Sequence, residues 1–151
     1  MKFLGLIFLY LIIITKSHAV VTGEMLMVRS TEAFPEAMAM LQEAISKQGY
    51  TLSRIQRVDV GLNAKGYKTD KYRVVFFGKG QEIQALSIRY PQLIPYLPLK
   101  IAIFAEGDNT ILISANPTVL HDMFQLAELK PTLNLWLKDI TAILKTVQSQ
   151  N

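Results

Sequence analysis

The chain has 151 residues, half of them apolar, with 16 Lys and Arg against 12 Asp and Glu, two His and no Cys. That length suits one domain with one core, and the missing cysteines exclude a disulfide scaffold, thiol catalysis and the thiolate-based zinc and attached-haem sites. A formal net charge of +4, with acids and bases intermixed, does not signal nucleic acid or a membrane surface as partner.

Met1-Lys2 supplies one positive charge, and Phe3 to Ile14 is apolar or Gly apart from the hydroxyl of Tyr10. The run ends at Thr15-Lys16, well short of the roughly 20 apolar residues a spanning helix needs. Small Ser17 and Ala19 flank His18 as in an A-x-A processing site. Residues 1–19 are therefore expected to be a signal peptide cut before Val20, leaving residues 20–151 as a single soluble domain without a stable membrane anchor. An uncleaved anchor running through Val20 and Val21 would have to bury Lys16 and His18. Loss of Lys2 and Lys16 leaves 14 basic against 12 acidic residues, a net charge of +2. The expected location is the periplasm where the cell has an outer membrane, and the medium otherwise.

In the remaining chain, Met25 to Arg29 alternates as a short strand, and Ala37, Met38, Leu41, Ala44 and Ile45 recur at helical spacing between Pro35 and the stop at Gly49. Tyr50 to Val60 reads as a strand whose apolar parity changes between Leu52 and Ile55, which predicts a bulge near Ser53 and Arg54. Tyr72 to Phe77 is the next strand, followed by a short helix over Gln81 to Tyr90 with Ile83, Leu86 and Ile88 loosely on one face. Pro91, Pro95 and Pro98 impose turning backbone before a hairpin of Leu99 to Ala105 and Thr110 to Ala115. Asn116-Pro117 launches a helix expected to turn Leu120, Met123, Phe124 and Ala127 inward, and Pro131 opens a last one with Leu133, Trp136, Leu137, Ile140, Ile143, Leu144 and Val147 on one face. This order gives α+β: a two-layer domain with an antiparallel sheet and packed helices.

Catalytic signatures are sparse. His121 is the sole histidine after residue 19, lies beside Asp122, and is read as a surface or helix-packing residue. Gly78-Lys79-Gly80 lacks phosphate-loop spacing and is read as a turn. Met25, Met27, Met38, Met40 and Met123 are expected to pack in the core, and Pro95-Tyr96-Leu97-Pro98 to be loop rather than a ligand motif. No catalytic, cofactor-binding or metal-ligating set is expected. The basic stretch Lys65, Tyr67, Lys68, Lys71, Tyr72, Arg73 and Lys79, opposed only by Asp70, is the candidate binding surface for an anionic ligand or acidic partner, against the plainer reading of a solvated loop.

Val58-Asp59-Val60 with Ala64-Lys65-Gly66, then Tyr72-Arg73-Val74-Val75-Phe76-Phe77-Gly78, Leu97-Pro98-Leu99-Lys100-Ile101 and Asn116-Pro117 resemble the family called domain of unknown function 302, over residues 58–120. Many members have Asn-Pro after the Phe-Gly, where this chain has Lys79-Gly80. The resemblance implies a two-layer fold similar to that of the TATA-binding protein, allows a homodimer, and carries no DNA binding and no catalytic residues. The expectation is an exported non-enzymatic module that binds a small ligand or protein partner. Alternatives are an enzyme using Asp59 or Asp122 with His121, and a haem or electron-transfer accessory using His121 or Met123 as an axial ligand.

Overall fold

The computed structural model describes residues 20–148, so the expected signal peptide, residues 1–19, and its expected cut before Val20 lie outside the described residues. Six strands, β1 (Val20–Thr22), β2 (Met25–Ser30), β3 (Thr51–Arg57), β4 (Tyr72–Gly78), β5 (Leu99–Glu106) and β6 (Asn109–Ala115), form one antiparallel sheet in the order β1-β2-β6-β5-β4-β3. The two-residue turn Gly107-Asp108, with Gly107 at φ 58°, closes the β5–β6 hairpin, and its register pairs Ala102 with Ile113. The predicted irregularity in β3 is present as a register shift between Leu52 and Arg54.

Among the described residues five α-helices accompany the sheet: α1 (Phe34–Lys47), α2 (Val58–Asn63), α3 (Gly80–Arg89), α4 (Val119–Phe124) and α5 (Lys130–Val147). Helices α1 and α5 pack on each other and on one face of the sheet. Their apolar stripes, Ala37, Leu41 and Ile45 on α1 with Leu133, Trp136, Ile140 and Val147 on α5, meet Leu26, Val28, Val75, Phe77, Ile101, Ile103 and Leu112 from alternate strand positions. Each such Leu, Ile or Val contributes about 1.5–3 kcal/mol by leaving water, which lets a chain without disulfides close one core. Helix α1 ends as its sequence predicts: Gly49 takes φ 78°, its N–H bonds to the Ser46 carbonyl, and the Tyr50 N–H reaches the Ile45 carbonyl at 3.3 Å. That turn delivers the buried Tyr50 directly into β3.

Four expectations are corrected. The strand read as Tyr50 to Val60 stops at Arg57, and Val58–Asn63 is helical because Asp59 turns inward to a cation on β4 instead of extending an edge strand. The helix expected from Asn116-Pro117 starts only at Val119, since the Asn116 carboxamide oxygen accepts from the Thr118 N–H and hydroxyl and holds a turn there. It ends at Phe124, where Gln125 has φ 54°, so Ala127 and Met123 are not brought inward. Ile88 is 74 % exposed on α3. Of the methionines, Met38 and Met40 pack against the core as expected, but Met25, Met27 and Met123 are exposed, the first two because the alternation of β2 gives the core to Leu26 and Val28.

Candidate functional site

Because the core helices α1 and α5 lie on one face, the other face of the sheet carries no helix among the described residues. Pairing registers set Met27, Ile113, Ala102 and Val74 in one row across four strands, and Arg29, Ile111, Phe104 and Tyr72 in the next. Ile111 is buried yet stands outside the main core cluster, shielded by neighbours on this face. Toward one end of the face Arg29 is ion-paired with Glu106, and Tyr72 meets Phe104 edge-on at 6.4 Å. A depression of about 400 Å³ opens here, lined by Thr69, Asp70, Lys71 and Tyr72 together with Ala102, Phe104, Ala105 and Ile113. Asp70, Lys71 and Ala105 also border a second depression of about 410 Å³, which runs toward Phe34 and Asn109.

The basic stretch is split by the fold. Lys65, Tyr67 and Lys68 are exposed on the turn after α2, which is closed by Gly66 at φ 85° and by the Tyr67 N–H on the Leu62 carbonyl. Lys71 and Tyr72 reach the first depression. Arg73 lies on the core side of β4: it pairs with Asp59, donates to the Tyr72 carbonyl at 3.0 Å, and stacks 5.7 Å from the Phe34 ring centre, a ring that the Lys71 ammonium also approaches at 5.9 Å. Lys79 lies past the far end of β4, its ammonium 4.7 Å from the ring centre of Tyr50. The six residue steps from Arg73 to Lys79 span roughly 20 Å of strand. Arg73 and Lys79 therefore hold the core edge, and the exposed cationic group is Lys65, Lys68 and Lys71.

The Asp59 pKa is lowered from the ordinary carboxylate value, chiefly because Arg73 donates to it, with the Val60 N–H and the charge of Arg57 adding to that against the opposing effect of burial. It is a paired anion rather than a proton donor. His121 Nδ1 lies 2.8 Å from Asp122 on α4, while Asp59 lies on α2 against β4, so the three residues weighed for acid–base chemistry are not brought together. Met123 sulfur accepts from the Tyr96 hydroxyl at 3.2 Å. Among the described residues no three His, Asp or Glu side chains are grouped to hold a metal ion.

Several functional-looking contacts carry no local signal in the sequence. Tyr50 donates to Asp139 at 2.8 Å, Trp136 to Glu82 at 3.2 Å and Tyr90 to Glu128 at 3.1 Å, joining residues distant along the chain. Burial, then the Asp139 bond and charge, push the Tyr50 phenol above its ordinary range; burial, then Glu128, push Tyr90 the same way. The Leu97-to-Ile101 stretch and Asn116-Pro117 also converge, with Leu99, Lys100, Asn116 and Pro117 all lining one small cavity at the end of β5 and β6.

Residues 26–147 match the model of the family described as "Domain of unknown function DUF302". A solved structure titled "Crystal structure of uncharacterized conserved protein DUF302 from Bacillus stearothermophilus" has the same fold, with a TM-score of 0.74 at 20 % identity over 82 % of this chain and 98 % of that one. No curated protein matches. With the family model spanning β2 to the end of α5, the chain belongs to the DUF302 family.

Proposed function

We propose that the protein is an exported, non-enzymatic binding module whose working surface is the helix-free face of its sheet, and that a second copy of the chain covers that face. The observation that carries this reading is the uninterrupted apolar row Met27, Ile113, Ala102 and Val74, with Met25 and Met27 at 41 % and 38 % exposure. Six strands spaced about 4.8 Å apart and about six residues long give a face of roughly 24 by 20 Å before side-chain relief is added. That is about 480 Å² in projection, and side-chain relief has to raise it toward the ~800 Å² per partner that a stable interface buries. A two-fold axis through the middle of β5 sets small Ala102 of one copy against Phe104 of the other, an interlocking match for two sheets about 10 Å apart.

A bare sheet backed by helices on one side also supports the likeness to the TATA-binding protein fold; this face mixes its apolar row with Arg54, Lys100 and an Arg29 neutralised by Glu106, and so offers no continuous cationic track for phosphates. Export rests on the charged start, apolar run and small-residue site of residues 1–19, and intact-mass analysis of exported protein should find a chain beginning at Val20. Sedimentation equilibrium tests the surface. The wild type should be a dimer and Ala102→Arg a folded monomer with unchanged circular dichroism. A monomeric wild type, or a dimer that tolerates Ala102→Arg, would show that the second copy does not sit there.

A further inference from the structure

The alternation that gives Leu99, Ile101 and Ile103 to the core sets Lys100, Ala102, Phe104 and Glu106 along the helix-free face of β5. Charge on that face is segregated along the strand direction. One end row runs Arg54, Phe76, Lys100 across β3, β4 and β5, two cations around an aromatic ring. The opposite end row holds Glu106 beside Asn109, with Asp70 at the rim of the first depression. Arg29 stands one row further in and reaches Glu106 at Oε2. A carboxylate offers two oxygens and about four acceptor sites, so one guanidinium contact leaves it able to take a second cation. The Arg29 and Glu106 side chains are about half exposed, which leaves room for that cation beside them. Lys100 makes a long bond, 3.4 Å, to the neutral carbonyl of Pro95, a weaker partner for an ammonium than a carboxylate is.

We infer that Lys100 of each copy pairs with Glu106 of the other, so that two equivalent ion pairs fix how the two sheets dock. This rests on the self-association proposed above and adds its orientation and register. The two-fold axis that sets Ala102 against Phe104 passes over Ile103, and Lys100 and Glu106 stand three residues to either side of it. The rotation that brings Ala102 onto Phe104 therefore brings Lys100 onto Glu106, twice per dimer. Sheets stacked about 10 Å apart lie within the joint reach of lysine's four-carbon stem and a glutamate. Turning the partner end for end would lay Lys100 against its own copy, cation on cation, and a slip of two residues would leave it opposite Phe104.

Sedimentation equilibrium of charge-reversed variants tests the pairing. Lys100→Glu or Glu106→Lys puts like charges opposite each other at both ends of the contact, and each variant should raise the dimer Kd about 100-fold. Both positions are exposed, so each variant should keep the wild-type circular dichroism. Mixed in equal amounts, the two variants should associate again, with a Kd within about tenfold of the wild type, because both pairs of the mixed dimer are once more of opposite charge. Lys100→Gln removes the charge without reversing it and should weaken the dimer about tenfold at low salt and less at high salt. With a dimeric wild type, variants that dimerise equally well, or a mixture as monomeric as its components, would overturn the pairing and leave self-association standing. A monomeric wild type would overturn both.

Discussion

Asp59 and Arg73 join the short helix α2 to strand β4 through an ion pair whose side chains are only 10 % and 14 % exposed. The guanidinium is held from three sides, by the carboxylate, by the carbonyl of Tyr72 and by the Phe34 ring at the start of α1. One pair thus ties α1, α2 and β4 at a single point.

Replacing Asp59 with Asn should cost about 1.5–3 kcal/mol, the range for a hydrogen bond to a charged group. Because the folded-state pKa of Asp59 is lowered, its contribution is complete above the unfolded value near pH 4 and is lost as the pH falls through the lower folded value. Urea melts from pH 2 to 6 should show the wild type losing stability through that acid window more steeply than Asp59→Asn. Parallel curves for the two proteins would mean the pair contributes nothing measurable.

Trp136 is 2 % exposed, packs in the α5 stripe and donates to Glu82 on α3. Trp136→Ala should cost about 3–5 kcal/mol through lost transfer energy and a cavity. Truncation before Pro131 removes all of α5 but its first residue and should abolish the cooperative thermal transition, which differential scanning calorimetry would read. A truncated chain that melts like the full one would show α5 to be an appendage.

Tyr50 links the α1–β3 turn to α5 through Asp139, and its ring meets Phe77 edge-on at 5.4 Å. Tyr50→Phe keeps the ring and removes the hydroxyl, at a cost of about 1–2 kcal/mol. The folded phenol titrates above its ordinary value near 10, so its contribution is complete below that pH and is lost as the pH rises through the folded value. Stability measured from pH 8 upward should decline more in the wild type than in Tyr50→Phe; identical alkaline profiles would refute the assignment.

Lys65, Lys68 and Lys71 remain a cationic group after Arg73 and Lys79 are withdrawn to the core edge, and Tyr67 beside them is 65 % exposed. Reversing all three lysines to Glu should change the melting temperature little, since exposed charges contribute within about 0.5 kcal/mol each. If the loop recognises an acidic partner, heparin-free pull-downs from envelope extracts should lose that partner in the triple variant, and wild-type capture should weaken with salt. Equal capture at low salt would mark the loop as merely solvated.

Strands β2, β4, β5 and β6, the β3 bulge, the hairpin, the glycine stop of α1 and the apolar face of α5 were legible because each rests on local rules. These are alternation, helical spacing, turn chemistry and the φ preference of Gly49. The basic stretch was legible as composition but not as a surface, because successive residues of β4 point to opposite faces: Tyr72 goes to the open side and Arg73 to the core side. Only tertiary structure decided that Asp59 meets Arg73, that Tyr50 meets Asp139, and that the Lys100 and Asn116 segments close one cavity. Their partners come from strand order and helix docking, and no periodicity along the chain encodes which distant residue a side chain will face. The same holds for the bare side of the sheet: alternation shows that a strand has two faces, and only the placement of α1 and α5 decides which one is left uncovered.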